Sequence, residues 1–155
     1  MTPGVRIAID VGSVRVGVAR SDPGGILAVP EVTLPRDAAL ADALARVCSD
    51  LDARVIYVGL PLTLAGIAGP AADDAEAVAM DLAARIDVPV RLIDERLTTV
   101  SAQQALHAAG RTTRSSRSVI DQAAAVAILE HALAAERAAG TPAGRKVTVR
   151  GATKE

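Results

Sequence analysis

The stretch that organises the chain reads Val5-Arg6-Ile7-Ala8-Ile9-Asp10-Val11-Gly12, and a second apolar run at residues 16–19 follows it after a short turn. A third run at residues 26–32 comes after the turn signal Pro23-Gly24-Gly25. Turns this short favour an antiparallel meander of three strands. Asp10 ends the first apolar run, where a carboxylate is unfavourable unless it is paired. It is therefore either a functional acid or part of an Asp-x-Gly turn.

The period of the apolar residues changes after Asp37. Leu40, Leu44, Cys48 and Leu51 follow at helical spacing, which predicts an amphipathic helix with Cys48 in the core. Apolar runs at 55–58 and 90–93 predict two more strands, and helices are predicted over residues 70–86, 99–109 and 118–138. The order predicts an α/β domain over residues 1–139, with a mixed five-stranded sheet flanked by helices in the ribonuclease H-like arrangement. Residues 140–155 are expected to form a flexible C-terminal tail.

Composition excludes several classes of protein. The chain has 155 residues, half of them hydrophobic, and a net charge of −1, as expected for one folded domain. It has no apolar run of the roughly 18 to 20 residues that a membrane helix needs and no signal-peptide pattern, so we expect a cytoplasmic protein without a membrane partner. Cys48 is the only cysteine, which excludes an internal disulfide. Tyr57 is the only aromatic residue, which excludes a platform that stacks bases on aromatic rings.

Acidic residues follow two of the predicted strands. Asp10 ends the first, Asp94 and Glu95 end the last, and Asp121 falls in the first turn of the helix predicted from Ser118. Sites form beyond the carboxyl ends of strands in open sheets, so these acids predict an oxygen-ligand site suited to Mg²⁺ or Mn²⁺. Adjacent strand residues point to opposite faces, so only one of Asp94 and Glu95 is expected to face the site. Asp121 could instead form a capping box with Ser118.

Four blocks of sequence resemble the YqgF/RuvX family, described as Holliday junction resolvases and as pre-16S rRNA nucleases. They are IAIDVGSVRVGVARSD at 7–22, VGLPL at 58–62, DERLTT at 94–99 and IDQAA at 120–124. Together they extend over nearly the whole chain. A basic residue usually precedes the last block in this family, and Arg117 fills that place.

The resemblance implies a metal-dependent nuclease with a ribonuclease H-like fold. Asp10, Glu95 and Asp121 would be its catalytic metal ligands, with Glu95 preferred to Asp94. They would hold two ions, Mg²⁺ or Mn²⁺, about 3.5 to 4 Å apart. The implied substrate is structured nucleic acid, with processing of the 5′ end of pre-16S rRNA in ribosome biogenesis favoured. The alternative is a Holliday junction resolvase in DNA recombination and repair, which would have to act as a homodimer, because symmetrical cutting needs two sites.

Several arginines are candidates for binding substrate phosphates. Arg15 follows the Asp-x-Gly turn, and Arg96 follows the second acidic pair. Either could instead form a structural ion pair, and for Arg96 the ion pair is favoured. Arg111, Arg114 and Arg117 alternate with Ser and Thr in a predicted loop, a composition suited to phosphate contacts or simply to a solvated loop.

Other functional classes fit less well. Gly12 and Gly17 have the glycine spacing of a phosphate-binding P-loop, but Val18 and Ala19 stand where that motif needs Lys and Ser or Thr. Actin-like ATPases also begin with Asp-x-Gly, but their architecture duplicates the domain. A catalytically inactive nucleic-acid-binding module would have no need of three separated acids.

Overall fold

The computed structural model describes the backbone of residues 3–62, 65–95 and 113–148, and the side chains of all of these except 113–121. Its elements in chain order are β1 (Val5–Val11), β2 (Arg15–Ser21), β3 (Ala28–Pro35), α1 (Leu40–Asp50), β4 (Ala53–Leu60), α2 (Pro70–Ala83), β5 (Val90–Asp94), α3 (Thr113–Ala139) and β6 (Arg145–Lys146). Within these residues, no helix is both long and apolar enough to cross a membrane.

The strands form one mixed sheet in the order β3-β2-β1-β4-β5-β6. β1 to β3 are the predicted antiparallel meander, and β1, β4 and β5 run parallel to one another. Two strand-helix units therefore follow a hairpin meander, which confirms the predicted α/β class. The helix predicted over 99–109 lies outside the described residues.

The predicted count of five strands is wrong, because the segment expected to be a flexible tail adds a sixth. β6 pairs antiparallel with β5, and the backbone N–H of Val147 donates to the carbonyl of Val90 at 2.8 Å. The Arg91 side chain donates to the carbonyl of Gly144 at 2.7 Å, and Val147 is buried. A two-residue strand is too short to show an apolar period. Residues up to Val147 therefore cover the edge of β5.

The two faces of the sheet carry separate cores. Ile7 and Ile9 of β1 pack with the buried faces of α1 and α2, where Cys48 is buried as predicted. Ala8, between them, faces the other way and packs in a second core with α3. This alternation is expected of a strand buried on both faces. It decides on which side of the sheet each polar residue of β1 lies.

The long helix begins earlier than its apolar pattern predicts. α3 begins at Thr113 rather than Ser118, so residues 113–117 of the predicted basic loop are helical. The first turns of the helix are polar and show no apolar period. Ser118 lies inside the helix, and a capping box needs its Ser or Thr at the helix start. The capping interpretation of Asp121 is therefore wrong.

A buried ion pair fixes the other end of α3 on the sheet. Arg6 Nη2 lies 2.7 Å from Glu136 Oε2, with the two side chains 0% and 4% exposed. The Tyr57 hydroxyl donates to Glu136 Oε1 at 2.9 Å and accepts from the N–H of Ala143 at 3.2 Å. Burial alone would raise the pKa of Glu136, but the hydrogen bonds from Arg6 and Tyr57 hold that pKa below its usual value. The ionised carboxylate is thus the stable form.

Candidate active site

Three neighbouring strands end together beneath α3. On β1, every second residue faces α3, and these residues are Arg6, Ala8 and Asp10. Asp10 lies near the carboxyl end of β1. On β4, Val55 and Tyr57 share that face, and Gly59 follows in the same alternation. The parallel register places Gly59 beside Asp10 in the sheet, because Ile9 pairs with Val58.

The adjacent acids at the end of β5 are separated by the same alternation. Leu92 packs in the core of α1 and α2, and Asp94 shares its side of the strand. Ile93 packs in the α3 core, and Glu95 lies on that side, in hydrogen-bonding contact with Asp10. The structure therefore brings together Asp10 and Glu95, the pair that the sequence analysis selected.

Glycines make room for these carboxylates. A Cβ atom at Gly59 would lie 3.0 Å from Glu95 Oε2 and 2.6 Å from the Cδ1 atom of Ile128 on α3. On the other side of Asp10, its cross-strand partner is Gly17. Cross-strand partners share a face, so Asp10 has no side chain beside it on either neighbouring strand. Both glycines lie in the sequence blocks quoted above, but this role was not predicted for either of them. A glycine next to an acid at a strand end was the available signal.

The carboxylates are in an unfavourable electrostatic environment. Burial, the hydrogen bond to Asp10 and the negative charges of Asp10 and Asp94 together raise the pKa of Glu95 to about 8. At neutral pH the pair therefore shares a proton. Two buried carboxyl groups in contact favour a positive charge between them, and carboxylate oxygens are the ligands that Mg²⁺ and Mn²⁺ prefer. The donor set fits a divalent cation.

The third predicted ligand belongs to the helix above this pair. Gln122, the residue after Asp121, donates from its side-chain amide to Thr33 Oγ1 at 2.9 Å. Thr33 pairs with Gly17, and Gly17 pairs with Asp10, so α3 contacts the sheet at the level of Asp10. The Asp121 side chain lies outside the described set. The side chains that the structure does describe contain no group of three His, Cys, Asp or Glu residues placed to hold a metal.

The predicted phosphate-binding arginines fall on different elements. Arg15 begins β2, directly after the turn that follows Asp10, and is half-buried. Positions 114 and 117 lie in the first turns of α3, where the backbone alone is described. Arg96 and Arg111 lie outside the described residues.

Known proteins resemble this chain in sequence over most of its length. A family model described as RuvX, Holliday junction resolvase, matches residues 4–135. A relative from Clavibacter michiganensis subsp. michiganensis is 53% identical over 150 residues, which cover 95% of this chain and 93% of the relative. A relative from Leifsonia xyli subsp. xyli is 49% identical over 152 residues, which cover 97% of this chain and 98% of the relative. Both bear the name "Putative pre-16S rRNA nuclease".

A solved structure resembles this one in fold. The structure of T. thermophilus RuvC in complex with Holliday junction substrate aligns with a TM-score of 0.57 at 16% sequence identity. The alignment covers 92% of this chain and 99% of that one. The mixed sheet with helices on both faces is therefore a ribonuclease H-like fold.

Proposed function

Because the chain belongs to the RuvX (YqgF) family, we propose that it is a metal-dependent nuclease that processes the 5′ end of pre-16S rRNA. The observation that carries the proposal is the contact between Asp10 and Glu95 at the carboxyl edge of the sheet. The names of the relatives support RNA as the substrate. Acting on a ribosomal precursor, the protein would work in the cytoplasm.

Asp10, Glu95 and Asp121 would hold two divalent ions, Mg²⁺ or Mn²⁺. When bound, such ions activate water and stabilise the charge that develops on a phosphodiester. Asp10 and Glu95 must give up their shared proton to bind a cation, which they do more readily as the pH approaches about 8. Gly17 and Gly59 keep the surface beside them clear. The positions of Gln122 and Thr33 support the inclusion of Asp121, because they hold its helix at the level of Asp10.

Arginines at this edge would bind the substrate phosphates. On α3, positions 117 and 121 follow position 114 by three and seven residues, so the three positions share one face of the helix. That spacing supports a role for Arg114 and Arg117 in holding the strand near Asp121. Arg15 and Arg96 follow Asp10 and Glu95 in the sequence and are the remaining candidates.

Resolution of Holliday junctions is the second candidate function. The matching family carries that description, and RuvC, which shares the fold, was solved with a junction bound. This function requires a homodimer on the DNA, because one domain carries one site. Sedimentation with and without a four-way junction tests the requirement. A monomer on the junction would argue against resolution.

Cleavage assays on matched substrates test the proposal. Purified protein is offered a 16S rRNA fragment with its 5′ precursor extension, the mature fragment and a four-way DNA junction, each in Mg²⁺, Mn²⁺ or EDTA. We expect metal-dependent cleavage of the extended RNA. Asp10→Asn should lower that rate by about 10³-fold or more, because it removes a metal-binding charge and little volume. Asp50→Asn on the exposed end of α1 is the matched control.

Two results would contradict this assignment. Undiminished turnover by Asp10→Asn in excess metal would exclude the Asp10 site. Cleavage of the junction, with the extended RNA left intact, would favour the resolvase function. Binding of both nucleic acids in Ca²⁺ is measured for each variant, so that loss of cleavage is separated from loss of binding.

A further inference from the structure

One arginine outside the predicted site holds the turn that follows Asp10. Arg36, the first residue after β3, donates from its backbone N–H to the carbonyl of Val14 at 3.0 Å. Its Nη1 atom donates to the carbonyl of Gly12 at 3.2 Å. Arg36 therefore satisfies two of the carbonyl groups in the turn between β1 and β2.

The guanidinium of Arg36 is itself held by α2. Its Nη2 donates to Asp74 Oδ1 at 3.0 Å, and its Nη1 pairs with the second carboxylate oxygen of Asp74. The hydrogen bond to Asp74 raises the pKa of Arg36, and Arg36 holds the pKa of Asp74 below its usual value. This bidentate pairing fixes the plane of the guanidinium. The ammonium group of a lysine could not form it. The turn is thus connected through Arg36 to a helix on the opposite face from α3.

The turn is tight enough to transmit a displacement to Asp10. The N–H of Gly12 donates to the carbonyl of Arg15 at 2.9 Å, and a Cβ atom at Gly12 would lie 2.6 Å from that oxygen. Gly12 is two residues from Asp10, so a shift of its carbonyl moves the end of β1 with it. Removal of a group that orients a metal ligand typically changes the metal affinity by about 10- to 100-fold.

We propose that Arg36, clamped by Asp74, is a positioning residue that holds the Asp10 turn in the geometry for binding a divalent cation. The inference rests on the proposed metal-dependent function and adds a residue that acts through the backbone. The guanidinium is engaged by protein acceptors on two sides, so its role is to position Asp10 rather than to contact substrate.

The same meander offers a matched control. Arg20 of β2 pairs with Glu31 of β3 at 2.7 Å, and these side chains are 40% and 29% exposed. The Arg36 and Asp74 side chains are 25% and 41% exposed. Both are partly exposed arginine-carboxylate pairs, and each arginine lies on or directly after a strand of the meander. Arg20, however, lies toward the end of β2 that is remote from the Asp10 turn, where it pairs with Ile7.

Direct titration of Mn²⁺ onto the full chain, with free Mn²⁺ followed by electron paramagnetic resonance, tests the inference. Binding that disappears in Asp10→Asn defines the site. We expect Arg36→Gln to weaken that binding by about 10-fold, Arg36→Lys to weaken it less and Arg20→Gln to leave it unchanged. Saturating Mn²⁺ should restore most of the RNA cleavage by Arg36→Gln.

Asp74→Asn provides a second route if Arg36→Gln fails to fold. It should weaken Mn²⁺ binding in the same direction, and the double variant should be no worse than Arg36→Gln alone, because the two residues act as one unit. Thermal unfolding in EDTA is recorded for every variant. A purely structural pair would lower the melting temperature and leave Mn²⁺ affinity unchanged.

Three outcomes would overturn the inference. One is equal Mn²⁺ affinity in Arg36→Gln and Arg20→Gln. Another is unchanged Mn²⁺ affinity with weakened RNA binding in Ca²⁺, which would make Arg36 a phosphate contact. A third is a wild-type protein without Asp10-dependent Mn²⁺ binding. A wild-type protein that binds Mn²⁺ through Asp10 yet cleaves no nucleic acid would refute the proposed function alone. The effect of Arg36→Gln on Mn²⁺ binding would then still decide the inference.

Discussion

Two residues of β1, four positions apart on the same face, have opposite electrostatic environments. At the amino end, Arg6 is fully buried against Glu136, and the hydrogen bonds of the pair favour the charged carboxylate. At the carboxyl end, Asp10 meets Glu95, and burial together with the neighbouring negative charges raises the pKa of Glu95 to about 8. The two ends of one strand thus differ: at one end the neighbouring groups favour an ionised carboxylate, and at the other they favour a protonated one.

The difference separates structural polar groups from functional ones. Burying a charge is unfavourable unless a partner compensates it, and at the amino end the protein supplies that partner itself. At the carboxyl end the chain brings like charges together, which favours a cation from outside. Carboxyl groups with a raised pKa at the end of parallel strands are therefore a stronger indication of a functional site than a buried ion pair.

The largest effect on stability is expected at the amino end. Glu136→Ala leaves Arg6 buried without its counter-charge, which should lower the free energy of unfolding by about 3 to 5 kcal/mol. Urea denaturation monitored by circular dichroism measures the change. Glu31→Ala, which breaks the exposed pair with Arg20, is the control and should lose about 1 kcal/mol or less. Equal losses in the two variants would contradict the contrast between the ends of β1.

At the carboxyl end, removal of a charge should stabilise the metal-free protein. The pKa of Glu95 is raised from 4.5 to about 8, so its contribution to stability is complete below pH 4.5 and is lost as the pH rises through about 8. Glu95→Gln keeps the neutral form at all pH values. In EDTA at pH 9, its melting temperature should exceed that of wild type by about 5 °C, with little difference at pH 4.5. A variant less stable than wild type at pH 9 would show that the pair is not strained.

The sequence predicted one side of this contrast, the acids at the carboxyl end of β1 and β5, and the misses have physical causes. Alternation along a strand predicts that only one of Asp94 and Glu95 faces the site, because it depends on local backbone geometry alone. The choice of Glu95 came from the family resemblance. Arg6 was treated as part of an apolar run, although a charge at that position needs a buried partner. Its partner Glu136 lies 130 residues away on α3, and no local period connects them. Arg36 and Asp74 were missed for the same reason, since their contact depends on how separate elements pack.

The space beneath α3 gives the next smaller effect. Gly59→Ala would place a Cβ atom against Ile128 and the Glu95 carboxylate. Both are ends of side chains that can move, so the fold should survive while Glu95 is displaced from Asp10. We expect cleavage to fall by about 10-fold, which corresponds to about 1.4 kcal/mol in the activation free energy.

Gly69→Ala is the control for that substitution. Gly69 lies just before α2, has a negative φ angle and has no heavy atom within 4 Å of the position that a Cβ would take. Its cleavage rate should match wild type. A Gly59→Ala variant with wild-type cleavage would mean that the position of Glu95 does not limit the reaction.

The smallest effect concerns the second anchor of α3, the hydrogen bond from Gln122 to Thr33. Thr33→Val removes the acceptor with little change in shape, and the net contribution of such a bond is about 1 kcal/mol. Gln122 and Glu136 lie 14 residues apart on the helix, about 21 Å along its axis, so losses at the two anchors should be additive. Urea denaturation of Thr33→Val, Glu136→Gln and the double variant measures this.

The two substitutions should differ in their effect on cleavage. Of the two anchors, only the one at Gln122 lies at the level of Asp10, so Thr33→Val should also slow cleavage. Glu136→Gln should lower stability and leave the cleavage rate of folded protein unchanged. Equal effects of the two substitutions on cleavage would show that α3 responds as a rigid unit and that the two ends of β1 are not functionally separate.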